Sequence, residues 1–320
     1  MKHHVISAAV TLLLCAVLCG LLPSCSSPPQ EPSDGHSTVT FTDALGREIR
    51  IKQNPERVAA LLGSFADVWV LAGGKLCAAA EDAWEDFGLE LSDAVHIGGA
   101  HSPSLELLLS ADPDLVLASA STAGHLDMKD TLEAMGITVV YFNVDNFTDY
   151  LAMLDFCTDL TARKDLYRQN GLQVMEEIET VKAAYAAEGL PPAERTVLLL
   201  RASSGTVKAK GSEGTVLGEM LADMGCINVA DRDGSLLENL SAEAVIRAEP
   251  RHIFAVTMGS NTEAAMESLK NMMEENPAWG TLRAVQEGRL HIMDKHLFNL
   301  KPNHRWGEAY RKLYETLIQE

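Results

Sequence analysis

Arg201, Lys208 and Lys210 place three cations within ten residues, directly after the apolar run TVLLL, in a chain that carries 45 acidic against 26 basic residues. A guanidinium can grip a carboxylate, a phosphate or a chelate oxygen through two parallel hydrogen bonds, whereas an ammonium acts as a point charge. The net charge of −19 repels anions at long range, so an anion needs a local cation cluster to offset that field. A solvated hairpin accounts equally well for Lys208 and Lys210; it accounts less well for Arg201, which stands at the exit of an expected strand. The same charge disfavours nucleic acid and anionic membrane surfaces as partners.

A second pattern occurs twice. Residues 104–119 read SLELLLSADPDLVLAS and residues 241–256 read SAEAVIRAEPRHIFAV, with Glu106 and Glu243 137 residues apart, as are Pro113 and Pro250. That offset exceeds the roughly 20–50 residues of solenoid and propeller repeats and suits two similar lobes. Each Glu falls in the first turn of an expected helix, where the macrodipole favours a carboxylate by about 0.3–1 kcal/mol. Its recurrence adds a second reading, an acid on the same rim of each lobe.

The elements that must position these residues follow a leader. Residues 1–24 combine a charged start with an apolar run, which reads as a secretory signal. Leu22-Pro23-Ser24-Cys25 resembles the lipobox of bacterial lipoproteins, making Cys25 the expected lipidated residue and 25–37, rich in Ser and Pro, a tether. The alternative is an uncleaved anchor, since about 18 apolar residues just span a bilayer. Both readings put the body at the extracytoplasmic face of the cell membrane.

Residues 38–147 alternate strand and helix patterns after an initial hairpin, residues 148–190 read as helix, and residues 191–320 alternate again. Alternation of this kind predicts parallel α/β sheets, with ligands beyond the carboxyl ends of the strands. The loops expected there hold Ser64, Trp84, His101 and Met258, besides the three cations. Trp84 offers an aromatic face, Ser64 a hydroxyl, and His101 reads more readily as a polar loop residue than as a metal ligand. Trp306 reads as core. Cys77, Cys157 and Cys226 follow no disulfide or zinc spacing and read as free thiols. Neither a Gly-x-Ser-x-Gly elbow nor a phosphate-binding Gly-x-x-x-x-Gly-Lys loop is present, so no enzyme is expected.

In order and spacing, FTDALGREIRIKQNPERVAAL, IGGAHSPSLELLLSADPDLVLAS, GTVLGEMLADMGCINVA and LSAEAVIRAEPRHIFAV resemble the substrate-binding proteins of ABC importers for iron chelates, haem and cobalamin. The resemblance implies two Rossmann-like α/β lobes with mostly parallel sheets, joined by one long helix, and a ligand cleft between them. It also implies a monomer that binds a small molecule and works with an ABC permease and its ATPase, Glu106 and Glu243 docking into Arg pockets of the two permease subunits. The ligand would be a metal chelate, of siderophore or haem type, with a corrinoid as the alternative and no intrinsic cofactor. A different class remains open, a surface lipoprotein for sensing or adhesion on the same fold. Three scattered Cys and a lone cleft His supply neither an iron–sulfur ligand set nor a manganese or zinc site.

Overall fold

The structure, a computed structural model, describes residues 37–259 and 261–319; Cys25 and the signal and tether expectations lie outside them, apart from Ser37. Strands β1 (Thr38–Thr42) and β2 (Glu48–Lys52) form the expected antiparallel hairpin. Its turn is closed by the Asp43 carboxylate, which accepts the Leu45 and Arg47 N–H groups at 3.0 Å, and Gly46 supplies a positive φ of 76°.

The first lobe is a sheet of β3 (Val58–Ala60), β4 (Leu76–Ala79), β5 (Val95–His96), β6 (Leu115–Ser119) and β7 (Thr138–Phe142). Its order is β5-β4-β3-β6-β7, with every pairing parallel. All five residues of β6 are buried, as a strand covered on both faces requires. Helices α1 (Gly63–Leu71), α2 (Asp82–Glu85) and α3 (Leu105–Ser110) are among the crossovers.

After the helix Phe147–Leu160, a continuous helical segment runs through Lys164–Tyr167, a π turn at Arg168–Leu172 and Gln173–Ala187. At 1.5 Å per residue this connecting helix is roughly 36 Å long. The π turn is not legible in the sequence. It accompanies close packing, since a Cβ on Gly171 would lie 2.9 Å from Leu151, and it presents the Asn170 amide to the Leu71 carbonyl at 3.0 Å.

The second lobe orders β10 (Ile227–Asn228), β8 (Thr196–Ala202), β11 (His252–Thr257) and β12 (Leu290–Met293) as β10-β8-β11-β12, all parallel. One strand departs from expectation. Residues 203–211 read as a loop, but Val207–Lys210 forms β9, antiparallel to β8, its turn closed by the Ser203 N–H donating to the Thr206 carbonyl at 2.8 Å. Two lysines in a four-residue strand hide the apolar half of its alternation, in which Ala209 is buried.

The C-terminal helix Trp306–Leu317 packs along the connecting helix. A single apolar cluster includes Phe65, Trp69 and Phe147 of the first lobe with Leu199, Phe254 and Trp306 of the second. Leu198, Leu200 and Ala202 belong to a separate cluster on the other face of β8. Period-two alternation therefore puts Arg201 on the Leu199 face, the one that continues toward the first lobe.

Candidate functional site

The duplicated phrase is a duplicated piece of backbone. Ser104 caps α3 by accepting the Leu107 N–H at 3.3 Å, and Ser241 caps the helix Ala242–Ala248 by accepting the Ala244 N–H at 3.1 Å. Asp112 and Glu249, the residues before the two prolines, both adopt the left-handed conformation, with φ of 48° and 44°. A residue preceding proline is disfavoured in the right-handed helical region, so each helix must stop there. Glu106 and Glu243 are exposed in their first turns. The Glu243 carboxyl is held below its usual range by its own backbone N–H and then by the Ser241 hydroxyl, 3.0 Å away.

In the second lobe, Arg201 and Lys208 are register partners across β8 and β9, and Lys210 pairs with Leu199 on the same face. Among the described residues none of the three side chains forms an ion pair or hydrogen bond. Arg201 is half-buried, its Nε fully buried without a partner, and burial pushes its pKa down. Lys210 is pushed down by burial first and then by Arg201 and Lys208. Met258 joins them, donating its N–H to the Ala202 carbonyl at 2.8 Å while its side chain is 45% exposed.

Two residues that sequence reasoning missed lie close by. Lys301, half-buried, shares an electrostatic neighbourhood with Arg201 of its own lobe and with Asp82, Asp145 and Asp149 of the first. Asp82 opens α2; its Oδ1 is buried without a donor, and burial raises its pKa, with the nearby Gly63 N–H opposing. His101, exposed in the turn before α3, also acts on Asp82. The only sequence signal for Lys301 was its place before Pro302, which reads as a helix boundary.

The first lobe presents Trp84 and Ser64 differently from expectation. Trp84 is half-buried in α2 rather than in a loop, stacked on His96 with ring centroids 5.1 Å apart and an interplanar angle of 29°. Ser64 is buried in the first turn of α1, and its carbonyl, not its hydroxyl, has the partner, the Asn303 amide at 2.9 Å. It enters the helix because Gly63 lets α1 start against α2: a Cβ there would lie 2.5 Å from the Ala83 nitrogen. Trp306 is fully buried against Phe147 and Tyr310, as expected of a core residue.

Contacts between the lobes surround this region. Lys295 pairs with Asp86 at 2.8 Å, and the His296 ring nitrogen lies 3.1 Å from the Asp86 carbonyl. Asn303, at a positive φ of 52°, also reaches the Asp67 carboxylate at 2.8 Å. Burial raises the Asp67 pKa, with the Asn303 amide opposing. Among the described residues no three His, Cys, Asp or Glu side chains gather as a metal-holding group. Nor, among them, is any helix long and apolar enough to cross a membrane.

The family model described as periplasmic binding protein matches residues 58–297. The chain is similar to the putative ABC transporter substrate-binding lipoprotein YhfQ of Bacillus subtilis, 22% identical over 307 residues that cover 91% of each chain. The Fe(3+)-citrate-binding protein YfmC of the same organism is 23% identical over 292 residues, covering 90% of this chain and 88% of that one. Staphylococcus aureus SirA complexed with staphyloferrin B superposes with a TM-score of 0.69 at 20% identity, covering 88% of this chain and 99% of SirA.

Proposed function

The chain belongs to the periplasmic binding protein family, and from that membership we infer that it is the extracytoplasmic substrate-binding component of an ABC importer for an anionic iron chelate. The names of YhfQ and YfmC support a transport role and an iron cargo, and the ligand of SirA supports a siderophore-like chelate. The iron arrives already held by its chelator, so the protein needs to recognise the chelate's outer oxygens and not the metal.

One observation carries the sign of the ligand's charge. Arg201, Lys208 and Lys210 crowd one face of a strand end with no acidic partner among the described residues, in a chain that carries 45 acidic residues. Three like charges repel, and an anion placed among them turns that repulsion into attraction. In this reading Arg201 grips a carboxylate or other chelate oxygen in two parallel hydrogen bonds, Lys208 and Lys210 add point charges, and Met258 with Trp84 and His101 completes the cleft walls. Ser64 contributes through its carbonyl, by holding Asn303.

Glu106 and Glu243, exposed at matching helix starts, are proposed to meet cationic pockets on the two permease subunits. Cys25 is proposed to carry the lipid that holds the protein at the outer face of the membrane. Mass spectrometry and visible absorption of protein purified from its native source in iron-poor medium test the function. The expected result is a bound ferric complex of negative net charge. A cationic ligand, or a neutral one without metal, would overturn the reading.

A further inference from the structure

Arg201, Val256 and Met293 are register partners across β8, β11 and β12, so they stand in one row near the carboxyl edge of the second-lobe sheet. Neighbouring strands lie about 4.8 Å apart, which puts the Met293 backbone roughly 10 Å from that of Arg201. Lys295 follows two residues later and opens the short helix Lys295–Phe298, which is seated by the buried side chains of Leu297 and Phe298 and by the Asp294 carboxylate accepting the His296 N–H at 2.9 Å. In the first lobe, α2 starts at the carboxyl end of β4, where the Glu81 N–H donates to the Gly98 carbonyl at 2.9 Å. The helix buries Ala83 and closes at Asp86, whose N–H donates to the Asp82 carbonyl at 2.9 Å. Asp86 meets two consecutive side chains of the other lobe: its carboxylate accepts from the Lys295 ammonium at 2.8 Å and its carbonyl from His296 Nδ1 at 3.1 Å. A carbonyl can only accept, so Nδ1 is the donor. The Lys295 and Asp86 side chains keep 19% and 24% of their exposure, so water and salt screen this pair less than one on the open surface.

We propose that Asp86 and Lys295 are positioning residues for the ligand: their ion pair, with His296 beside it, is a strut that holds α2, and with it Trp84, at a set distance from the row that contains Arg201. The inference rests on the reading that an anion binds at Arg201. Both ends of the strut stand on seated elements that leave the carboxyl edges of their sheets, so the pair joins the two edges between which a ligand of this fold lies. Walls held at their spacing in advance lower the ordering cost of binding, and they slow release, because the lobes part only when the pair breaks. The sign of the Asp86 charge separates this role from plain electrostatics. A carboxylate near an anion repels it, so removing Asp86 would tighten binding if charge alone mattered. Removing one end of a strut weakens binding instead.

Two measurements test this. Hydrogen exchange of the unliganded protein, read by peptide mass spectrometry, examines the strut without any ligand. In Asp86→Asn and in Lys295→Met the backbone amides of residues 82–88 and 295–300 are expected to exchange several-fold faster, with the sheet strands unchanged; wild-type exchange in both segments overturns the proposal. Calorimetry and stopped-flow dissociation with ferric citrate as the probe then read the consequence for binding. Asp86→Asn is expected to weaken binding about three- to tenfold, chiefly through faster dissociation, an effect between those of exposed and buried ion pairs. Lys295→Met is expected to match it, the double variant to lose no more than either single one, and Lys295→Arg, which keeps the pair, to stay near wild type. Unchanged or tighter binding in Asp86→Asn overturns the strut. A double variant whose losses add makes Lys295 a direct contact of the anion, which overturns it as well. Failure of ferric citrate to bind the wild type counts against the anion at Arg201, and the exchange result alone then decides whether the strut exists.

Discussion

Arg201 and Lys208 stand directly opposite each other across β8 and β9, two cations paired in register with no carboxylate among the described residues bonded to either. Cross-strand like charges destabilise a sheet by a few tenths of a kcal/mol or more, so the unliganded hairpin carries a small strain that neutralisation relieves. Lys208→Thr is therefore expected to stabilise the free protein slightly in urea unfolding, while weakening anion binding by less than about 1 kcal/mol because Lys208 is exposed. Equal or higher affinity in Lys208→Thr would remove this lysine from the site.

Glu106 and Glu243 give a prediction that separates docking from helix stability. Glu106→Gln and Glu243→Gln keep the shape of each first turn and remove the charge. Uptake by cells and association with the permease are expected to fall, chiefly in association rate and more so at low salt, while ligand affinity is unchanged. If the double variant transports normally, the acids serve only the helix dipole.

The two halves of this pattern were legible for a physical reason. A capping Ser, a first-turn acid and an Asp/Glu-Pro stop are local signals, and they mark α3 and the helix Ala242–Ala248 in the sequence as they do in the structure. The parallel strands β6, β7, β8 and β11 were equally legible as short apolar runs. What was not legible depends on tertiary contact: β9, whose pairing with β8 brings Lys208 beside Arg201, and Lys301, whose charged neighbours come from three separate segments. Ser64 was misplaced for the same reason, because the helix start at Gly63 is set by the close approach of Ala83.

That approach yields a test of the fold around the site. A Cβ at position 63 would meet the main chain of Asp82 and Ala83 at 2.5 Å, and main chain cannot swing aside. Gly63→Ala is expected to cost about 1–3 kcal/mol in thermal or urea unfolding, typical of overpacking, and to displace α2 with Trp84. Wild-type stability would mean that α1 and α2 do not touch as described.

His252 and His291 predict the response to acid. Their ring nitrogens lie 3.1 Å apart on β11 and β12. Burial first, then His291, Arg251 and Arg289 hold the His252 pKa down to about 3. In the unfolded chain it returns to about 6.5, so the unfolded state binds the extra proton and stability falls as pH drops from about 6.5 toward 3. The slope contributed is at most about 1.4 kcal/mol per pH unit. His252→Phe is expected to flatten the urea-unfolding stability profile between pH 6 and about 4; an unchanged slope would contradict the assignment.

The most direct measurement is calorimetry on Arg201→Ala with the chelate identified from the native protein. A charge-assisted hydrogen bond contributes about 1.5–3 kcal/mol, so affinity is expected to fall roughly tenfold to a hundredfold, with Arg201→Lys recovering only part because an ammonium cannot form the paired contact. Affinity unchanged in Arg201→Ala would contradict an anion held at the end of β8.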